Sequence, residues 1–78
     1  MVILEPVESS MIAAAGYHLG EHKLIVLYNS GRAYEYYDVP EKIYMDLMSA
    51  QSKGKYMNQN VRNAFPYSIF KGWNSTKV

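Results

Sequence analysis

The sequence predicts an α+β domain in which a three-stranded antiparallel β-meander is followed by two α-helices packed on one sheet face, with a short C-terminal extended tail. Two observations favour this class. Residues 23–37 form two apolar runs separated by a short polar turn that ends at Gly31, the pattern of a β-hairpin. After Pro40, apolar residues recur at helical spacing in two separate stretches, which predicts two amphipathic helices.

Length and composition define the class of protein. The chain has 78 residues, and a chain of this size buries only about 60% of its unfolded surface, so we expect one domain over residues 1–78, with a core from 7 to 67 and a tail from 68 to 78. It contains no cysteine, which excludes disulfides and thiolate metal sites and fits a cytoplasmic location. Glu5 interrupts the first apolar residues at once, so the sequence predicts no signal peptide and no contact with a membrane.

The strands are predicted in the first half of the chain. Residues 11–19 are mostly apolar and precede a turn-like break, which indicates the first strand. In the second strand Ile25 and Leu27 point to one side, and the alternate residues Leu24, Val26 and Tyr28 point to the other. Both faces are therefore apolar and both need cover. The helices can cover one face. The tail or a second subunit would cover the other, and we therefore expect a homodimer or a higher homo-oligomer.

The third strand leaves the turn at Gly31, a residue that adopts the left-handed backbone conformation without steric cost. Tyr34 and Tyr36 are two residues apart and so lie on one face of this strand, where we interpret them as core residues beneath a helix. Tyr37 lies on the other face.

Two helices are predicted in the second half. Pro40 suits the first turn of a helix because its missing N–H would have no partner there, and an apolar stripe through Leu47 follows. Ser52 opens the second helix, since its hydroxyl can accept a hydrogen bond from a free backbone N–H. The apolar spacing of this helix continues to Phe65, where Pro66 ends it.

Charge is distributed unevenly along the chain. Residues 1–50 hold all seven acidic residues and three basic ones, whereas residues 51–78 hold five basic residues and no acid. A basic end of this kind suits an anionic partner, although five bases on a solvated surface are also ordinary.

The candidate phosphate-binding residues lie on the second helix and just beyond it. Its free N–H groups carry the positive end of the helix dipole, Gly54 leaves room for a ligand or for close packing against the sheet, and two lysines add charge. One turn further on, a polar stripe continues without any carboxylate. The predicted set is Ser52, Lys53, Gly54, Lys55, Asn58, Gln59, Arg62 and Lys71.

Aromatic side chains can stack on unpaired bases. We expect Tyr37 and Trp73 to serve this role, because neither belongs to the predicted core.

The residues together resemble the KTSC domain, a family named after the C-terminus of some lysyl-tRNA synthetases. The resemblance covers about residues 7–67 and includes the runs Tyr34-x-Tyr36, Val39-Pro40, Ser52-x-Gly54-x-Tyr56 and Val61-Arg62. It implies a small α+β unit that also occurs as a stand-alone bacterial or phage protein and for which RNA binding is suspected.

No catalytic constellation is evident. The two histidines lack a third metal ligand, Ser9 and Ser10 lack the surroundings of a nucleophile, and no spacing selects two carboxylates as acid and base. The sequence therefore predicts no enzyme, no metal and no cofactor. We expect a small non-catalytic module that binds RNA through its basic C-terminal helix and tail. A binder of free nucleotides or cyclic dinucleotides and a protein-interaction or assembly module are the alternatives.

Overall fold

The computed structural model describes residues 3–70, and the fold is an antiparallel sheet with two helices on one face. Strands β1 to β5 lie side by side in chain order. The strands are β1 Glu5–Pro6, β2 Ile12–His18, β3 Lys23–Tyr28, β4 Ala33–Tyr36 and β5 Tyr67–Ile69, and the helices are α1 Glu41–Ser49 and α2 Lys53–Asn60.

The α+β class and the two helices were predicted correctly, but the prediction of a three-stranded sheet was wrong. Strands β2 to β4 are the predicted meander, and β1 and β5 add one strand at each edge. The added strands have two and three residues, too few to show an alternating pattern of their own. Their pairing with β2 and β4 depends on residues that are distant in the sequence.

The β3–β4 hairpin closes as its sequence predicts. The N–H of Tyr28 donates to the carbonyl of Arg32 at 2.8 Å, and the N–H of Gly31 donates back to the carbonyl of Tyr28 at 2.9 Å. Gly31 has φ = 98°, which is the left-handed region expected for it. The loop is also fixed from outside, since the N–H of Asn29 donates to the carbonyl of Met11.

The main core lies between the sheet and the two helices. Leu24 and Val26 of β3 are fully buried there, together with Leu47 from α1 and Met57 from α2. The predicted apolar stripes of both helices therefore face the sheet, as expected. The complete buried cluster is Ile12, Ala15, Leu24, Val26, Tyr36, Val39, Leu47, Met57 and Val61.

The opposite face of the sheet is less exposed than the sequence suggests. Ile25, which was expected to leave an apolar surface, is only 2% exposed, and Ala14 and Ala33, which flank Leu27, are also buried. Leu27 is half-buried. The homo-oligomer expected from this strand stays a prediction, and the exposed apolar surface that supports it is smaller than the sequence suggests.

Helix α2 is shorter than its apolar spacing predicts. It ends at Asn60, and residues 61–65 form turns in which Val61 and Phe65 still contact the core. The N–H groups of Val61 and Arg62 both donate to the carbonyl of Met57, over four and five residues, so the last turn of the helix is widened. Asparagine and β-branched valine are weaker helix formers than the lysines and methionine earlier in the helix, which favours an end at this point.

Neither helix within residues 3–70 is long and apolar enough to cross a membrane.

Candidate functional site

The start of α2 has the predicted cap. The hydroxyl of Ser52 accepts from the N–H of Lys55 at 3.4 Å, and the Nζ of Lys53 donates to the carbonyl of Ala50 at 2.9 Å. A Cβ at Gly54 would lie 3.2 Å from the Cβ of Met11. A residue without a side chain therefore suits this position, where the helix packs against Met11. Packing thus accounts for the glycine at position 54. The side chain of Lys53 provides a hydrogen-bond donor for the carbonyl of Ala50 at the end of α1.

The predicted polar stripe is kept together although the helix ends early. Lys55, Asn58 and Gln59 are exposed on α2, and Arg62 lies two residues beyond its end. The guanidinium of Arg62 donates to Oδ1 of Asn58 at 3.0 Å, which holds the arginine against the helix. Within residues 3–70 no carboxylate forms an ion pair with any member of this stripe.

Tyr37 is separated from these residues. It follows Tyr36 on the opposite sheet face, where its hydroxyl donates to a carboxylate oxygen of Glu35 at 2.9 Å and also contacts the hydroxyl of Ser68. The Nζ of Lys23 lies 5.5 Å from the centre of the Tyr37 ring, a cation–π distance. The structure therefore does not bring Tyr37 to the predicted basic face. Lys71 and Trp73 lie outside the described residues.

Four tyrosines form a cluster on the helix-bearing side of the sheet. Register places Tyr34 beside Val26, and Tyr36 between Leu24 and Tyr67. The ring of Tyr34 lies 5.4 Å from that of Tyr28, 6.3 Å from that of Tyr36 and 5.4 Å from that of Tyr67, measured between centroids. The cluster depends on β5, because this strand carries Tyr67 next to the hairpin.

This cluster forms one side of a groove with a volume of about 700 Å³. The groove has the size of a small-ligand site. Arg32 from the hairpin and Arg62 from the turn after α2 bring two cations to it, and none of the described residues that line it is acidic. Its lining consists of Ser10, Met11, Tyr28, Asn29, Ser30, Arg32, Tyr34, Tyr36, Asn58, Arg62, Asn63 and Tyr67.

A second cavity of about 460 Å³ lies between the start of α2 and the segment before β2. It is lined by the predicted residues Ser52 to Lys55 and by Glu8. Ser10, Met11 and Asn58 line both cavities, so the second cavity adjoins the tyrosine-lined groove. The predicted residues at the start of α2 and the groove thus lie on one extended surface, and Glu8 lines only the second cavity.

The structure shows a feature that sequence reasoning missed, because the tyrosines were interpreted as core residues only. Tyr36 is 2% exposed and does belong to the core, yet it is also one of the residues that line the groove. The signal in the sequence was the repeat of tyrosine on both sides of the turn, at Tyr28 and at Tyr34. Tyr67 had no such local signal.

The hydroxyls of Tyr28 and Tyr36 lie 2.7 Å apart and share a hydrogen bond. Burial raises the pKa of Tyr28, and burial together with the hydrogen bond to Tyr28 raises the pKa of Tyr36 strongly. The positive charge of Arg62 opposes both shifts but is a smaller influence. Both hydroxyls therefore keep their protons at neutral pH, and one of them donates to the other.

The same shifts predict that stability falls at alkaline pH. Burial raises the folded-state pKa of Tyr17, Tyr28, Tyr36, Tyr44 and Tyr56. A raised pKa of an acid means that folding favours the protonated form, so the stabilisation is complete below the ordinary tyrosine pKa of about 10 and is lost as pH rises above it. We expect the urea midpoint to be level from about pH 7 to 9 and to fall above about pH 10. A midpoint that does not change to about pH 11 would contradict this assignment, and Tyr36→Phe should make the fall shallower.

Residues 3–70 contain no group of three histidine, aspartate or glutamate side chains that could hold a metal ion. The hydroxyl of Ser9 accepts from the N–H groups of Met11 and Ile12 and so stabilises the turn before β2. This is the hydrogen-bonding role that its position favours.

Comparison with known proteins gives consistent matches. The sequence model of the KTSC domain matches residues 8–65. A protein of Tsukamurella paurometabola is 42% identical over 62 residues, which cover 80% of this chain and 92% of that protein. Lysine–tRNA ligases of Nostoc punctiforme and of another Nostoc strain are 34% and 35% identical over 65 residues, but the matched segment makes up only 11% of each ligase. The crystal structure of a KTSC domain protein from Yersinia pestis matches with a TM-score of 0.86 and 29% identity, covering 88% of this chain and 97% of that one.

Proposed function

The chain belongs to the KTSC domain family, and from its tyrosine-lined groove we propose that it is a non-catalytic module that binds single-stranded nucleic acid, with RNA as the natural ligand. The observation that carries the proposal is the combination of four clustered tyrosines with two arginines in a groove where no described lining residue is acidic.

The aromatic part of the groove suits unpaired bases. Tyr67 is 55% exposed and Tyr28 and Tyr34 are half-buried, so all three contribute surface to the groove, while the buried Tyr36 supports them from the core. Stacking of one base on an aromatic side chain contributes about 1–3 kcal/mol and tolerates any sequence. Bases in a duplex are already stacked on each other, so the groove favours a single strand.

The cations suit a phosphate backbone that passes along α2. Arg32 and Arg62 line the groove, and Lys53 and Lys55 line the cavity that continues from it. A strand that occupies both would meet cations at each end and, beside its path, the amide of Asn58, which lines both. This extended surface includes the predicted residues of α2 except Gln59, and it replaces Tyr37 by the tyrosine cluster as the stacking platform.

The relatives add support from a different direction. Two of the proteins that contain a related segment are named as lysine–tRNA ligases, and this name identifies tRNA as their substrate. The segment is a small part of those proteins, so their ligase activity is not transferred to this chain. An RNA ligand is the property that a small accessory domain could share with them.

The test is a titration of labelled single-stranded RNA and DNA and of free nucleotides at several salt concentrations. If three or four phosphates are neutralised, the logarithm of the affinity should fall with the logarithm of salt concentration with a slope of about −2 to −3. Oligonucleotides should bind more tightly than mononucleotides, because one nucleotide fills only part of the surface. Equal affinity for a mononucleotide or a cyclic dinucleotide would instead favour the free-nucleotide alternative.

A protein-interaction module is the second candidate, favoured by the edge strand β5. Tyr67 and Ile69 are 55% and 51% exposed there, which is high for large apolar side chains on a strand. Docking through such a surface is mainly apolar and need not weaken with salt. The absence of salt-dependent oligonucleotide binding would favour this candidate.

A further inference from the structure

The hydroxyl pair of Tyr28 and Tyr36 provides a chemical detail that base stacking does not use. Both residues line the groove, and Tyr36 is 2% exposed, so its oxygen is held in one place by the core. The two oxygens are 2.7 Å apart. Two phenol groups carry two protons, and the bond between them uses one. Within residues 3–70 neither hydroxyl has another hydrogen-bond partner, so the second proton is available to a ligand.

The neighbouring polar groups are also donors. Oδ1 of Asn58 accepts from the guanidinium of Arg62, which leaves the amide hydrogens of the asparagine for other partners. Arg62 has no acceptor atoms in its side chain, and its charge acts on both tyrosine hydroxyls. A ligand group that satisfies this part of the groove must therefore offer acceptors and negative charge.

We propose that the Tyr28–Tyr36 hydroxyl pair, Arg62 and Asn58 together bind a phosphate group of the ligand. The inference rests on the proposed function, since it assigns one phosphate of a nucleotide to this position. A phosphate diester or monoester offers only acceptor oxygens and negative charge to these groups, whereas a base edge presents donors and acceptors together. The groove therefore selects for the nucleic-acid backbone at this point, and the tyrosine rings add stacking without reading the sequence.

The single and double variants of the tyrosine pair differ in the number of hydroxyl protons that they can offer to a phosphate. In Tyr28→Phe or Tyr36→Phe one hydroxyl is removed, and the remaining one can turn its single proton to the ligand. Each single variant thus keeps one donor for phosphate. Only the double variant Tyr28→Phe/Tyr36→Phe has no donor. It keeps both rings, so the stacking platform and the core packing are preserved, and it leaves neither hydroxyl buried without its partner.

The experiment measures binding of inorganic phosphate by ³¹P NMR and binding of single-stranded RNA by fluorescence anisotropy. We expect the affinity of the double variant for both ligands to fall by about tenfold or more, because a hydrogen bond to a charged group is lost. The affinity of each single variant should fall by less than about threefold. Tyr17→Phe is the matched control. The substitution removes a hydroxyl that donates to the carbonyl of Val39. Tyr17 lines neither cavity, so this variant should bind as the parent does. Circular dichroism confirms that each variant is folded.

The outcomes separate this inference from the proposed function. RNA binding by the double variant that equals that of the parent protein would overturn the phosphate assignment and leave nucleic-acid binding in place. Binding of inorganic phosphate that the double variant loses, together with no binding of RNA or DNA by the parent, would support the phosphate site and overturn the proposed function. Failure of the parent to bind either phosphate or nucleic acid would overturn both.

Discussion

Replacing Tyr36 by alanine is expected to destabilise the domain by about 3–5 kcal/mol, the range for removing a large buried aromatic side chain. Tyr36 is 2% exposed, contacts the rings of Tyr34 and Tyr67, and shares a hydrogen bond with Tyr28. The change would leave a cavity in the core and the hydroxyl of Tyr28 without its partner. Small domains have a total stability of about 5–15 kcal/mol, so much of it would be lost. Urea denaturation followed by circular dichroism measures the change.

Tyr67→Ala is the graded control for this prediction. Its ring belongs to the same cluster, but it is 55% exposed and lies on the three-residue edge strand β5. We expect a loss of about 1 kcal/mol or less, since surface truncations are usually mild. A similar loss for both variants would mean that the cluster is not built on a buried Tyr36. Tyr34 is intermediate in burial, so the stability lost in Tyr34→Ala should lie between the losses for Tyr36→Ala and Tyr67→Ala.

The parts of the fold that could be predicted are those with a local physical signal. The β3–β4 hairpin follows from Gly31, whose positive φ closes the loop, and the helices follow from their apolar stripes. Strands β1 and β5 could not be predicted because each is defined by its pairing partner. Tyr67 and Tyr36 are 31 positions apart in the sequence and meet only when β5 returns to the sheet beside β4. Nothing in residues 67–69 alone indicates that partner.

The site was predictable to a similar extent. The serine cap and the acid-free stripe of α2 have short-range signals, and the structure keeps Lys55, Asn58 and Arg62 close together even though the helix ends at Asn60. The groove has no short-range signal, because its walls come from a hairpin, a turn and an edge strand. A second reason is physical: a tyrosine can pack its ring in the core and still carry a hydroxyl for hydrogen bonds, so core and site are not exclusive interpretations of Tyr36.

The second large effect is expected from the arginines of the groove. Arg32→Ala/Arg62→Ala removes the cations that line the tyrosine-walled groove, and we expect it to weaken binding of every single-stranded sequence by about 100-fold at low salt. The salt slope should become shallower by about 1.5–2, since each lost phosphate contact reduces it by about 0.7–1. Within residues 3–70 neither arginine forms an ion pair with a carboxylate, so the melting temperature should change little.

Two further variants locate the path of the strand relative to these arginines. Lys53→Ala/Lys55→Ala tests the start of α2, and its effect should be smaller, because the Nζ of Lys53 already donates to the carbonyl of Ala50. Lys42→Ala is the charge control: its side chain is 81% exposed, is paired with Asp46 and lines neither cavity. Binding weakened more by the lysine pair than by the arginine pair would move the site to the start of α2. Parent-like binding by both double variants would exclude this basic surface, because neither pair of cations would then contribute to binding.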